Sequence, residues 1–498
     1  MERTMVSRRT AAGMAAGLLF AGCGGGGVGS DTQRLAAAPS VVGDAVVGEP
    51  VLLDVRAENI PADLSGTLGY TWSATGPDNQ PVALGDAGTA RPYFTPTATG
   101  SYTVTVSLTF TAAAGTATSL PTTLNVTVGT AATISAATAR ERIRTLAATP
   151  LTPQPFDDSA PRLSVGTGGG GSRIFGSRLL SWQRPEFAVN GDLRTAGTTF
   201  PDALLGTNRA VSTSATARTG TYLTIDFTTD AQAFEILQKG LGAASRLRVW
   251  VDNRQATLVP LIYPNDGLLY LTLVQFTTKA TRKVRVLVDN PFFGGIRVGS
   301  QDSVTRTAAG PKLRTMFFGD SVTEGTAGVV APAPYAARTA ELLGWNEAWL
   351  SGVGSTGYLA ATSPRLTLRQ RYASDVKAYK PAVLVINAGL SDTAFGDAAI
   401  QAEAAALFDL IQADLPETLV FVTPPFATPT RVRPGIAAAL KAAVGTRSNF
   451  FWVPSSEEAW INAGNAAQYI AGDGTHPTAE GIEYLAGKMA SAIKALVG

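Results

Sequence analysis

The chain has 498 residues, 45% of them hydrophobic and 16% charged, which is material for two to four packed domains. Forty basic residues against 38 acidic ones leave a net charge of +2, which excludes a global field aimed at nucleic acid or an acidic polymer. A single cysteine and a single histidine exclude an intrachain disulfide, cysteine-ligated zinc and a multi-histidine metal centre.

In chain order, Arg8-Arg9 precede an Ala/Gly/Leu run over 11–22, which ends in Ala21-Gly22-Cys23. A positive start, a short apolar stretch and small residues before the cut make 1–23 a signal peptide, too short to span a membrane comfortably. Ser7-Arg8-Arg9 resembles a twin-arginine signal, and Ala21-Gly22-Cys23 resembles a bacterial lipobox with Phe20 where leucine is usual. The expectation is an exported bacterial protein, extracellular or anchored to a membrane only through an acylated Cys23. Residues 24–38 are Gly/Ser-rich and then polar, as in a flexible tether.

From 39 to 129 the pattern is strict alternation. Tyr102, Val104, Val106, Leu108 and Phe110 interleave with Thr103, Thr105, Ser107 and Thr109, and Leu124, Val126 and Val128 repeat the pattern. Period two between turn residues predicts half-buried antiparallel strands. With Tyr70-Thr71-Trp72, the stretch resembles an immunoglobulin-like or PKD-type β-sandwich, in which Trp72 and Tyr102 read as core residues. A linker over 130–172 contains a short helix near 132–148, a Pro-rich stretch and the glycine run 168–171. Strands return over 173–305, at 222–227, 246–251, 268–276 and 284–288. Leu223, Ile225 and Phe227 face one way, Thr224 and Asp226 the other, which predicts a second, jelly-roll-like β-sandwich. Its place before the last segment is similar to that of the N-terminal sandwich in some carbohydrate esterases.

Over 311–498 the period changes. Continuous apolar strands at 315–318, 382–386, 419–422 and 450–453 alternate with helical stretches at 335–343, 366–379 and 398–411, and a helix closes the chain over 477–496. Such alternation predicts a parallel sheet covered on both faces, with its ligand site at the carboxyl ends of the strands.

Ser321 stands just past the first of these strands, within Gly319-Asp320-Ser321. Near the end, Asp473-Gly474-Thr475-His476-Pro477 holds the only histidine. Acyl transfer needs a nucleophile, a base to take its proton and a group that orients the base. A carboxylate three residues before a histidine, on a tight loop, can reach Nδ1 and leave Nε2 for the serine. Pro477 suits the first turn of the closing helix.

These two motifs, in this order, resemble the SGNH (GDSL-type) hydrolases over about 311–498. The resemblance implies a flavodoxin-like α/β/α domain that hydrolyses esters without a cofactor, with Ser321 as nucleophile, His476 as general base and Asp473 as its orienting acid. It also implies an oxyanion hole built from the Ser321 N–H, a backbone N–H of the Gly-rich stretch 351–358 and an asparagine side chain. By alignment the backbone donor is Ser355 or Gly354. The block Asn387-Ala388-Gly389-Leu390-Ser391-Asp392 puts Ser391 at the asparagine position, which leaves Ser391 or Asn387 as the side-chain donor. The expected function is an exported serine esterase that removes small acyl groups, acetyl foremost, from a carbohydrate. Alternatives are a lipase or thioesterase on lipid-like esters, and a non-catalytic surface-binding protein with a degenerate oxyanion hole. Trp452, Trp460 and Tyr469 read either as an acceptor surface or as core.

Overall fold

The structure is a computed structural model. It describes residues 35–42, 45, 47, 51–59, 66–85, 87–90, 92–112, 115–129, 134–148, 162–167, 172–181, 187–190, 193–195, 204–206, 222–240, 245–256, 260–264, 266–289, 291–307, 313–325, 334–345, 347–377 and 379–498. Cys23 and the signal segment lie outside these residues, as do the first part of the tether and the glycine run 168–171.

The alternation in the first region produces two antiparallel sheets. Ala36–Val42, Val51–Glu58 and Tyr93–Phe94 form one; Gly66–Thr75, Gly100–Ala112, Gly115–Thr118 and Thr122–Val128 form the other. Along Gly100–Ala112 every second residue from Tyr102 to Phe110 is buried, and Tyr102, Val104, Val106 and Leu108 meet Leu53, Val55, Trp72 and Phe94 in one core. Trp72 Nε1–H donates to Thr89 O (3.0 Å) and the Tyr102 hydroxyl to Ala98 O (3.0 Å), so both aromatics are core residues with satisfied polar tips.

Among the described residues, the middle region forms two sheets of seven strands each around a second core. Two of their strands, Ala233–Gly240 and Pro291–Gly299, escape the sequence reading although they pair along most of their length. The linker 130–172 also needs correction at both ends. Arg162–Thr167 pairs antiparallel with Leu269–Gln275 as an edge strand, so the sheets begin before 173. The helix α1 (Ala136–Ala148) packs its Ala136, Ala139 and Ile143 face into the core of the last domain, beside Ile493 and Val497. Polar contacts fix it there: Ala136 N–H donates to Glu417 (2.8 Å) and Arg140 to Asn449 (3.1 Å). The chain therefore adds a helix to its last domain before it builds the middle sheets.

The outer face of one middle sheet packs on the last domain. Trp250 and Leu287 join the domain's core, and Trp250 Nε1–H donates to the buried Glu341. Beside them, Glu483 binds both Arg248 and Arg338, and Arg338 also pairs with Glu341. Arg248, Arg338 and Glu341 are buried, so removing one partner strands charge in the interface, and the network ties the two domains together.

The last domain contains five parallel strands: β1 (Arg314–Gly319), β2 (Glu347–Gly352), β3 (Val383–Asn387), β4 (Leu419–Thr423) and β5 (Phe450–Trp452). Their order is β2-β1-β3-β4-β5, the flavodoxin-like doubly wound order. β3 and β4 are buried at every position, as the unbroken apolar runs require. Phe317, Val385 and Phe421 face α1, α3 (Tyr335–Leu342) and α8 (Ala479–Val497), which follows the short α7 (Ala466–Tyr469). Phe318, Ile386 and Val422 face α4 (Leu368–Tyr372), α5 (Asp397–Asp414) and α6 (Pro434–Val444). The predicted helix 366–379 is thus shorter, α4 running on into a π-helical turn, Ala373–Lys377. Strand order reverses between β1 and β3, and ligands of such sheets bind outside the carboxyl ends at that point. Ser321 follows β1 there.

Candidate active site

β1 ends at Gly319, where a Cβ would lie 2.2 Å from Asn387 O and 2.3 Å from Thr323 Oγ1, so a side chain has no room. The chain then turns directly into α2 (Ser321–Glu324). Asp320 caps this turn, its Oδ1 accepting from the Val322 N–H at 3.0 Å. Ser321 becomes the first residue of α2, and its side chain meets the chain's only histidine: His476 Nε2 lies 2.9 Å from Ser321 Oγ.

The loop before α8 holds His476 by its backbone as well as its ring. Asp473 Oδ1 accepts from the N–H groups of Thr475 (2.9 Å) and His476 (3.0 Å), while Oδ2 lies 2.6 Å from His476 Nδ1. Gly474 supplies the left-handed residue of this turn (φ +71°). Ala471 N–H donates to His476 O at 2.8 Å. Burial raises the Asp473 carboxyl, but the hydrogen bonds from the His476 ring and from the two backbone groups outweigh it and hold it down to about 2. An ionised Asp473 fixes the tautomer with hydrogen on Nδ1, which leaves Nε2 as the acceptor facing Ser321. Pro477 needs one correction: the cap of α8 is Thr478, which accepts from the Gly481 N–H at 2.9 Å. Pro477 thus lies before the helix, in a bridge with Ile470 that supports His476 from the other side.

Behind Ser321, Asp320 is fully buried and its Oδ2 has no hydrogen-bond partner among the described residues. Desolvation pushes this carboxyl up to about 7, against the Val322 N–H hydrogen bond and the nearby His476, which lower it. A carboxyl raised in the folded state binds its proton more tightly there than in the unfolded chain. Between pH 4 and 7 the native state holds that proton and the unfolded state does not, so stability falls as pH rises, by up to about 1.4 kcal/mol per pH unit. Asp320→Asn keeps the cap and removes the titration. Its urea-unfolding free energy should exceed the wild type's above pH 7, with the difference shrinking towards pH 4; parallel pH profiles would contradict the account.

The expected oxyanion donors fare unequally. Gly354 N–H donates to Glu324 Oε2 at 2.6 Å in a buried contact, so Gly354 is spent on holding its loop to α2 and is not a donor. Ser355 is exposed and left-handed (φ +58°), and its N–H has no acceptor among the described residues. A serine in that region is strained. Asn387 is fully buried and its Nδ2 donates to Pro424 O (3.0 Å), so it does not replace the family's asparagine. Ser391 is half-buried on the short 3₁₀ turn Leu390–Ala394, and its hydroxyl has no partner among the described residues. The next residue orients both loops: the Asp392 carboxylate accepts from the N–H groups of Tyr358 (2.8 Å), Leu359 (2.9 Å) and Ala360 (2.7 Å). Gly357 leaves room for it, since a Cβ there would fall 2.3 Å from Asp392 Oδ2.

Sequence reasoning assigned no role to Glu324 or Asp392. Asp392 had a signal, being the acid of the block that resembles Gly-x-Asn-Asp; Glu324 had none. The three aromatic residues pack. Trp460 is buried and stacked on Phe426, Trp452 Nε1–H donates to Glu457 (2.8 Å), and Tyr469 stacks on Tyr484 with ring centroids 4.1 Å apart.

Residues 317–483 match the family described as GDSL-like lipase/acylhydrolase, and this part of the chain has the GDSL-type hydrolase fold behind a β-rich N-terminal region. Among solved structures, a salicylyl-acyltransferase from a tetracycline biosynthetic pathway is similar at 15% identity and a TM-score of 0.49, over 65% of this chain and 98% of its own. A family two carbohydrate esterase from Clostridium thermocellum, in complex with cellohexaose, is similar at 19% identity and a TM-score of 0.43, over 62% of this chain and 98% of its own. An acetyl xylan esterase from Butyrivibrio proteoclasticus is similar at 13% identity and a TM-score of 0.40, over 67% of this chain and 98% of its own. No curated protein matches the chain.

Proposed function

We propose that the protein is a serine ester hydrolase that works through an acyl-enzyme, with Ser321 as nucleophile, His476 as general base and Asp473 as its orienting acid. The observation that carries this reading is the unbroken relay from Ser321 Oγ through the His476 ring to Asp473, with contacts of 2.9 and 2.6 Å. In the first half-reaction Ser321 Oγ attacks the ester carbonyl while Nε2 takes its proton. The negative charge that develops on the carbonyl oxygen faces the N–H groups of Ser321 and Ser355, with the shorter Ser391 hydroxyl standing where the family has an amide. Collapse expels the alcohol, which leaves with the proton from Nε2. Water then attacks the acyl-enzyme by the same steps and releases the acid.

The substrate we propose is a small acyl ester, acetyl foremost, on a carbohydrate met after export. The acid side of the site supports a bulky hydrophilic alcohol, since the side chains of Asp473 and His476 are 46% and 21% exposed. Large exposed apolar side chains are few: among the described residues of 313–498 they are Phe395 and Leu410. A long acyl chain would want a continuous apolar groove. Export by the signal over 1–23, acylation of Cys23 and the immunoglobulin-like and jelly-roll-like character of the upstream sheets belong to the same proposal. The test is acid release from an acetylated polysaccharide and from aryl esters of increasing chain length. Turnover that is fastest for acetyl and includes the polysaccharide supports the reading, a rise towards long chains favours the lipase alternative, and no turnover of any ester rejects both.

A further inference from the structure

We infer that Arg371 is a positioning residue, which holds the strand end carrying the nucleophile and the loop carrying the oxyanion donor in fixed relation through the carbonyl oxygens of Gly319 and Ser351. The inference rests on the reading of Ser321 as nucleophile and extends it to a residue that touches no substrate.

A capping box formed by Thr367 and Gln370 starts α4 and sends the Arg371 side chain under the carboxyl ends of β1 and β2. Its Nη2 donates to Gly319 O at 2.6 Å, and its Nη1 donates to Ser351 O (3.0 Å) and Ser351 Oγ (2.6 Å). Nη1 also lies 3.1 Å from Asp375 Oδ2, and the guanidinium stacks 4.3 Å from the centroid of the Phe318 ring. Neither Arg371 nor Asp375 is exposed at all. Asp375 is held in turn by the hydroxyls of Ser351 (3.0 Å) and Ser374 (2.9 Å).

Packing alone does not explain an arginine here. Burying a guanidinium is unfavourable even when it is paired, and an apolar residue of similar volume would fill the space at less cost. What an apolar residue lacks is a planar fork with donors at fixed spacing. The two carbonyls it bridges belong to adjacent strands, where Phe318 pairs with Ser351 and Gly319 with Gly352. Two residues after Gly319 comes Ser321. Four residues after Ser351 comes Ser355. Gly319 O accepts from the Val353 N–H as well (3.0 Å), so the same oxygen anchors the start of the donor loop. Nucleophile and donor thus leave the sheet from two points clamped by one rigid group. A shift of about 1 Å between such points is enough to cost on the order of 10² in rate.

The experiment measures kcat and KM on an aryl acetate for wild type, Arg371→Lys and the charge-balanced pair Arg371→Met/Asp375→Asn, with circular dichroism as the check on folding. The expected result is a kcat lowered by about 10–10²-fold in the pair with KM unchanged, because ground-state binding does not need the clamp. Lysine reaches one carbonyl but not both, and should recover part of the loss. A folded pair with wild-type kcat overturns the inference, and so does a KM that rises in step with the loss of kcat. Should the pair not fold, Arg371→Lys decides alone by the same two criteria. An inactive wild type removes the reading of Ser321 and this inference with it, whereas an active wild type with unaffected variants removes the inference alone.

Discussion

Ser321→Ala should lower kcat on an aryl acetate by a factor on the order of 10⁴–10⁶, and His476→Ala should do the same. The residual rate belongs to the oxyanion donors and substrate binding, which neither substitution touches. Because the two side chains act as one unit, the double variant should be no worse than either single one. That non-additivity separates a relay from two independent contributions, for which the losses would multiply. The chain has one histidine, so no second ring can stand in for it. An active-site phosphonate should modify Ser321 and no other serine, and the modification should fail in the His476→Ala variant. Labelling that maps elsewhere, or a folded His476→Ala protein with wild-type turnover, would defeat the assignment. Neither change threatens the fold: Ser321 and His476 are partly exposed and contribute to no core, so circular dichroism and urea midpoints should match the wild type.

The relay was legible because its parts are local. Gly319-Asp320-Ser321 follows an apolar strand, and Asp473 precedes His476 on one turn, so each end of the site is readable within a few residues. The last domain was legible for a similar reason, since runs such as Val383–Asn387 are apolar throughout, as only a strand covered on both faces can be. What escaped depends on contacts distant in sequence. The sequence leaves Gly354 open as an alternative to Ser355; in the folded chain Glu324, thirty residues earlier, occupies its N–H. Arg371 and Asp375 look like exposed charges on a helix, and only the folded chain shows both fully buried under two strand ends. The helix α1 was assigned to a linker because its apolar face, Ala136, Ala139 and Ile143, is narrow and weak, while its partner is the final helix more than 300 residues on. In the middle sheets, Ala233–Gly240 was missed because its alternation breaks at Leu237-Gln238: the register with Pro291–Gly299 shifts there, and Gln238 is buried on the face of Phe234 and Ile236, its amide donating to Thr272 Oγ1 at 2.9 Å.

Ser391→Asn should raise kcat by about 10²-fold and leave KM nearly unchanged. A side-chain donor in an oxyanion hole is typically worth 10²–10³ in kcat, since it acts on charge that exists only in the transition state. In this chain the position that resembles the family's asparagine holds a hydroxyl on a shorter side chain. Asn387, the other amide within reach by sequence, is buried and engaged with Pro424 O. In the proposed mechanism the hole therefore relies on backbone donors at Ser321 and Ser355, with the Ser391 hydroxyl beside them. Ser391 is half-buried at the start of a short 3₁₀ turn, and its hydroxyl makes no hydrogen bond among the described residues that the change would break. The turn itself is held by Asp392, whose carboxylate grips three successive N–H groups of the donor loop, so the backbone at position 391 should stay where it is. Steady-state kinetics on an aryl acetate, with the urea midpoint measured alongside, checks the expectation. A folded Ser391→Asn protein whose kcat is unchanged or lower would mean that serine already serves as the donor, and that the loop has adapted to the shorter side chain. A higher kcat with a KM that rises equally would instead place the amide in the substrate's path, where it weakens ground-state binding without improving kcat/KM.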